Sequence, residues 1–95
     1  MVRERDVEQH LVTLARARGW GCVKFVPDND PGMPDRLILL PDARCVWVEL
    51  KTKGGRLSEL QKYTHRLLRE RGQVVYVVWT KEQAEETVAQ IEKTL

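Results

Sequence analysis

The sequence predicts an α/β domain: a mixed central sheet of about four strands flanked by helices, in the order α-β-β-β-α-β-α. Three observations predict it. Two apolar runs, residues 36–40 and 45–51, are separated by Pro41-Asp42-Ala43-Arg44, a hairpin-length connection. A third run, residues 74–79, follows a helix-length stretch, and a strand, a crossover helix and a strand favour a parallel pair at one edge. Three other stretches repeat their apolar residues at helical spacing.

Residues 3–18 read as a helix because Val7, Leu11, Leu14 and Ala15 recur at its period and Gly19 ends it. At about 100° per residue, Glu4 falls on the side of Leu11 and Ala15, with Glu8 at the edge of that stripe. A carboxylate there is either stabilised by the helix N-terminus or aimed at a site, and for a lone Glu the first is the ordinary reading. Residues 20–26 read as a strand with Val23 and Phe25 on one face. Residues 27–34 contain three prolines, a glycine and three Asx residues, which makes them a loop. Pro34 disfavours helix for Met33 and fixes the start of the next strand. That strand, residues 36–40, is apolar on both faces and so predicted central.

In the following strand Val46, Val48 and Leu50 share one face, and Cys45, Trp47, Glu49 and Lys51 share the other. In a hairpin the start of one strand lies beside the end of its partner, so Asp35 and Glu49 are predicted neighbours. Thr52-Lys53-Gly54-Gly55-Arg56 reads as a flexible basic loop. Residues 58–71 read as a helix with stripe Leu57, Leu60, Gln61, Thr64, Leu67 and Leu68, a Ser58–Gln61 capping box, and Gly72 after its end. Residues 74–79, rich in valine, are predicted to be a buried strand. Thr80 and Gln83 suggest a second capping box, opening a last helix with Ala84, Val88, Ile91 and Leu95 on one face.

Ninety-five residues suffice for one small domain, residues 1–95, whose modest core makes an oligomer plausible. A net charge of +2 is too small to argue for a polyanion partner, but its distribution is uneven. Residues 51–71 hold seven Lys or Arg against two Glu, a basic face that suits phosphate or plain solvation. Cys22 and Cys45 are isolated and without metal-ligand spacing, which predicts reduced, partly buried thiols in a cytoplasmic setting. No run approaches the ~18 apolar residues of a membrane helix, and the N-terminus has no apolar signal segment, so no membrane partner is expected.

Two carboxylates held together repel unless a cation lies between them. Mg²⁺ prefers oxygen donors, often one or two carboxylates with water. Asp35, Glu49 and the backbone carbonyl of Leu50 suit one side of such a shell. Lys51 suits activation of a water on the ion or charge relief at phosphate, Gln61 suits positioning of that water, and Glu4 suits a hydrogen bond to it. Lys53, Arg56, Lys62 and Arg66 are candidate phosphate contacts. Singly, each has an ordinary reading: a turn Asp, a paired Glu and Lys, a capping Gln, surface cations. The ordered combination is what favours a site. His10 and His65 read as plain helix residues, with phosphate contact by His65 the lesser reading; Trp20, Trp47 and Trp79 read as core, with Trp47 also suited to the site's floor.

These residues resemble the PD-(D/E)XK nuclease superfamily, in Pro34-Asp35 followed by Glu49-Leu50-Lys51. More narrowly the chain resembles a stand-alone VRR-NUC domain, with Gly32-Met33-Pro34-Asp35, Val48-Glu49-Leu50-Lys51 and Leu57-Ser58-Glu59-Leu60-Gln61 in order and Glu4 before them. The resemblance implies a restriction-endonuclease-like fold and Mg²⁺- or Mn²⁺-dependent phosphodiester hydrolysis. Asp35 and Glu49 would be metal ligands, Lys51 the catalytic lysine, and Glu4 and Gln61 supporting catalytic residues. Glu4 and Glu8 both remain eligible as the first-helix acid. The resemblance further implies a homodimeric, structure-selective DNA endonuclease of a phage or bacterium, cutting four-way (Holliday) junctions in DNA repair. The alternatives are cleavage of flap or duplex DNA, a catalytically silent nucleic-acid-binding module on the same fold, and an interaction domain that binds no nucleic acid.

Overall fold

The structure is a computed structural model that describes residues 2–26 and 31–95. The first half of the Pro/Asx loop, residues 27–30, lies outside the described residues. The elements run α1 (Glu4–Ala17), β1 (Gly21–Lys24), β2 (Arg36–Leu39), β3 (Cys45–Leu50), α2 (Glu59–Glu70), β4 (Val74–Val78) and α3 (Lys81–Lys93). This is the predicted order. Among the described residues they form one sheet, β1-β2-β3-β4, with β1/β2 and β2/β3 antiparallel and β3/β4 parallel. The crossover is α2, as a parallel pair requires.

One face of the sheet carries the core. Val46, Val48 and Leu50 pack with Val7, Leu11 and Ala15 of α1 and Ala84, Val88 and Ile91 of α3. Burial of Leu11 or Ile91, each nearly inaccessible to solvent, contributes roughly 1.5–3 kcal/mol. An ion pair from Arg36 Nε to Glu8 Oε2, 2.8 Å long, fastens α1 to β2. The other face, that of Trp47 and Glu49, receives α2. Arg69 of that helix donates to the Val75 carbonyl at 2.8 Å. Helices α1 and α2 end before glycines, Gly19 and Gly72, whose φ of +80° an L-residue adopts only at a cost.

Several expectations change in detail. The 74–79 segment, predicted buried, is buried at Val75 and Val78 but leaves Val74 44% exposed, and it stands at the sheet's edge where the predicted parallel pair puts it. Its valines report a strand whose two faces are covered by helices, not one with neighbours on both sides. On β1 the buried residue is Cys22, while Val23 is exposed and Phe25 lies past the strand. Cys45 is exposed, although the sequence predicts partial burial. Leu60 faces outward, and the buried residues of α2 are Thr64 and His65. Leu95 lies beyond α3 and is exposed. Thr80 accepts from Gln83 N–H at 3.1 Å, but Gln83 Oε1 takes the Trp79 N–H instead of the Thr80 N–H, so only half of that box forms. No helix of the described residues is long and apolar enough to cross a membrane.

Candidate active site

The β2/β3 ladder pairs Arg36 with Val48. One further step along this register sets Asp35 opposite Glu49. Opposed residues of antiparallel strands hold their Cβ atoms roughly 4.5–5.5 Å apart. Asp35 is fixed at both ends: its carbonyl accepts from Phe25 N–H at 2.8 Å, and its Oδ2 accepts from Leu50 N–H at 2.7 Å. Phe25 is held in turn edge-on to Trp47, with ring centroids 5.0 Å apart. Trp47 Nε1 donates to Gln73 Oε1 at 3.2 Å.

The loop before Asp35 owes its position to Gly32. A Cβ at Gly32 would collide with Thr64 Oγ1 and come within 2.9 Å of the Leu60 carbonyl oxygen. Only a residue without one lets the loop lie this close to α2. Pro34, fully buried, then aims Asp35 at β3.

Glu49 is 2% exposed. Burial, reinforced by the Asp35 carboxyl beside it, pushes its pKa up from 4.5 to about 8, against the pull of Lys51. Both of its oxygens are met by α2. Gln61 Nε2 donates to Oε2 at 3.3 Å, and His65 Nε2 lies 3.3 Å from Oε1. Gln61 has two tasks, because an amide carries donor and acceptor together. Its Oε1 accepts from Ser58 N–H at 2.9 Å and its N–H donates to Ser58 Oγ at 3.0 Å, which completes the predicted capping box. His65 is not a plain helix residue as its sequence context suggests: it is 1% exposed and packed on Glu49. Burial, and then Arg69, push its pKa below the ordinary value, which favours the neutral ring.

Of the two first-helix acids, Glu4 lies in the field of this cluster. Its pKa is raised by burial and then by Asp35, and lowered by Lys51. Glu8 pairs instead with Arg36 and, at 3.9 Å, with Lys24. Lys51 follows Glu49 on the same side of β3, half-buried, its N–H bonded to the Val78 carbonyl at 2.9 Å. Trp79 Nε1 donates to the Gly55 carbonyl at 2.7 Å and so ties the basic loop of Lys53 and Arg56 to the end of β4. Lys62 and Arg66 point outward from α2, Lys62 paired with Glu59 at 3.2 Å and Arg66 stacked 5.5 Å from the Tyr63 ring. They are not drawn into the carboxylate cluster.

The donor set is hard oxygen: two opposed carboxylates, one so buried that it holds its proton past neutrality when nothing offsets its charge. A divalent cation such as Mg²⁺ or Mn²⁺ would offset it, and Asp35, Glu49 and the Leu50 carbonyl could hold one. No group of three or more His, Cys, Asp or Glu that could hold a metal occurs among the described residues. Water and substrate oxygens would therefore fill most of the shell. Sequence reasoning missed His65 and the reason for Gly32. The signal for His65 was its place four residues after Gln61, on the same helix face. For Gly32 there was none, because its necessity comes from Thr64, distant in the chain.

No family model matches the chain. A curated relative, described as "Putative nuclease p44" of Acyrthosiphon pisum secondary endosymbiont phage 1, is 36% identical over 78 residues, covering 82% of this chain and 84% of the relative. A solved structure described as "VRR_NUC domain" is similar with a TM-score of 0.87 and 26% identity, covering 94% of this chain and 97% of the other.

Proposed function

We propose a nuclease function from one premise: the chain belongs to the VRR-NUC family. The chain is a Mg²⁺- or Mn²⁺-dependent endonuclease that hydrolyses DNA phosphodiesters, acting as a homodimer on four-way junctions inside a bacterial or phage-infected cell. The observation that carries this reading is the convergence of Asp35 and Glu49 from adjacent strands, with Lys51 and Glu4 close enough to shift or share their charge.

Asp35, Glu49 and the Leu50 carbonyl would hold the ion from the protein side. When bound, the ion polarises the phosphate and neutralises its charge. Lys51 sets an ammonium beside the scissile phosphate, orients the attacking water and offsets charge that grows on the phosphate oxygens. Gln61 keeps the Glu49 carboxylate aimed from the start of α2. Glu4 accepts a hydrogen bond from water at the mouth of the site. Lys53, Arg56, Lys62 and Arg66 contact phosphates on either side and position the duplex without reading its sequence. Exposed apolar residues that suit a dimer surface are Val23 and Leu39 on the α2 side of the sheet and Leu60 on α2.

The test is a panel of labelled junction, flap, splayed and duplex DNA with Mg²⁺, Mn²⁺ or EDTA. Glu49→Ala and Lys51→Ala are expected to lower cleavage at least about a hundredfold while junction binding persists. Variants that cut at the parental rate in Mg²⁺ would overturn the assignment. Preferred cutting of flap or duplex DNA would replace the junction as substrate, and binding without cleavage in any metal would leave a silent module.

A further inference from the structure

Gln61 and His65 stand one helical turn apart and present the same face of α2 to β3. Each takes one oxygen of Glu49: Gln61 Nε2 at 3.3 Å from Oε2, His65 Nε2 at 3.3 Å from Oε1. The carboxylate is thus bracketed from one side, which leaves its remaining lone pairs toward Asp35. The other ring nitrogen of His65, Nδ1, is buried with no hydrogen-bond partner among the described residues. Burying an unpartnered nitrogen costs free energy, so a side chain serving packing alone would be apolar at this position.

We propose that His65 is a positioning residue for metal binding, donating Nε2–H to Glu49 Oε1 and fixing the plane in which that carboxylate meets the ion. The inference rests on the metal site of the proposed function and adds a residue to it. With the proton on Nε2, Nδ1 is the unpartnered acceptor. The geometric requirement is a donor at the Nε2 position, and a glutamine at this position can supply one, because its Nε2 reaches as far from the backbone. An asparagine is one bond too short, and a leucine keeps the packing but has no donor.

The test is Mn²⁺ binding by full-length protein, read from free Mn²⁺ in electron paramagnetic resonance, alongside Tm in EDTA. His65→Leu is expected to weaken Mn²⁺ binding about ten- to a hundredfold with little change in Tm, because it removes the buried orphan nitrogen but leaves Glu49 Oε1 without its donor. His65→Gln is expected to stay within about threefold of the parent, and His65→Asn to fall with the leucine variant. Parental affinity in His65→Leu overturns the inference. Equal weakness of the glutamine and asparagine variants also overturns it, and decides the matter even if the leucine variant does not fold. Glu49→Gln separates this failure from that of the site itself: if parental Mn²⁺ binding survives Glu49→Gln, the metal site is wrong and His65 has nothing there to position.

Discussion

Glu49 is where residue chemistry and stability conflict. In metal-free protein its folded-state pKa is about 8, against an ordinary value of 4.5. The folded chain therefore keeps a proton that the unfolded chain has released. Stability from this group is complete below about pH 4.5 and is lost as pH rises to about 8. Glu49→Gln imitates the protonated acid and removes that loss. In EDTA, the Tm of the variant should exceed the parent's by a margin that widens from pH 4.5 to 8 and then levels off. A constant margin across that range would show that Glu49 does not carry the burden assigned to it. The acid was legible from a Glu-x-Lys at a strand end. Its two α2 partners were only half legible, since Gln61 has a sufficient role as a cap.

At the scale of elements, the site depends on how loops present strands. Gly32 lets its loop lie against Thr64 and Leu60, three residues before Asp35. Gly32→Ala should cost about 1–3 kcal/mol by overpacking and should weaken Mn²⁺ binding with it. Thermal melts and metal titration of the same sample check both, and unchanged metal affinity would detach the loop from the site. The β2–β3 hairpin carries a different strain. Ala43 has φ of +71°, in the left-handed region. Ala43→Gly should relieve roughly 0.5–1 kcal/mol and raise Tm by roughly 2–8 °C, without effect on cleavage. Helix and strand identity was legible throughout, since periods of 3.6 and 2 survive in the sequence. The edge position of β4 was legible too, from the crossover that makes β3 and β4 a parallel pair; its partial exposure was not, because β4 is as apolar as a central strand.

At the scale of the molecule, a single-layer core on one face of the sheet leaves the other face to α2 and the site. The uncovered part of that face, around Val23 and Leu39, is where a second protomer would add burial. A solution mass twice that of the monomer is expected, and Leu39→Glu should halve it. Junction affinity should fall with salt, and Arg56→Ala should lessen the slope of log affinity against log salt by about one per protomer. A slope unchanged by Arg56→Ala would remove that residue from the interface.

The sequence by itself determined the order of elements, the hairpin that opposes Asp35 to Glu49, and the capping box at Gln61, because each depends on residues close together along the chain. Tertiary structure alone decided that Glu8 is drawn to Arg36 and Lys24, on strands that only folding brings near, while Glu4 feels the charges of Asp35 and Lys51. It also decided that His65 is buried on Glu49 and that Gly32 must lack a side chain. Packing of α2 across the sheet sets those contacts, and no periodicity within one segment encodes a neighbour on another.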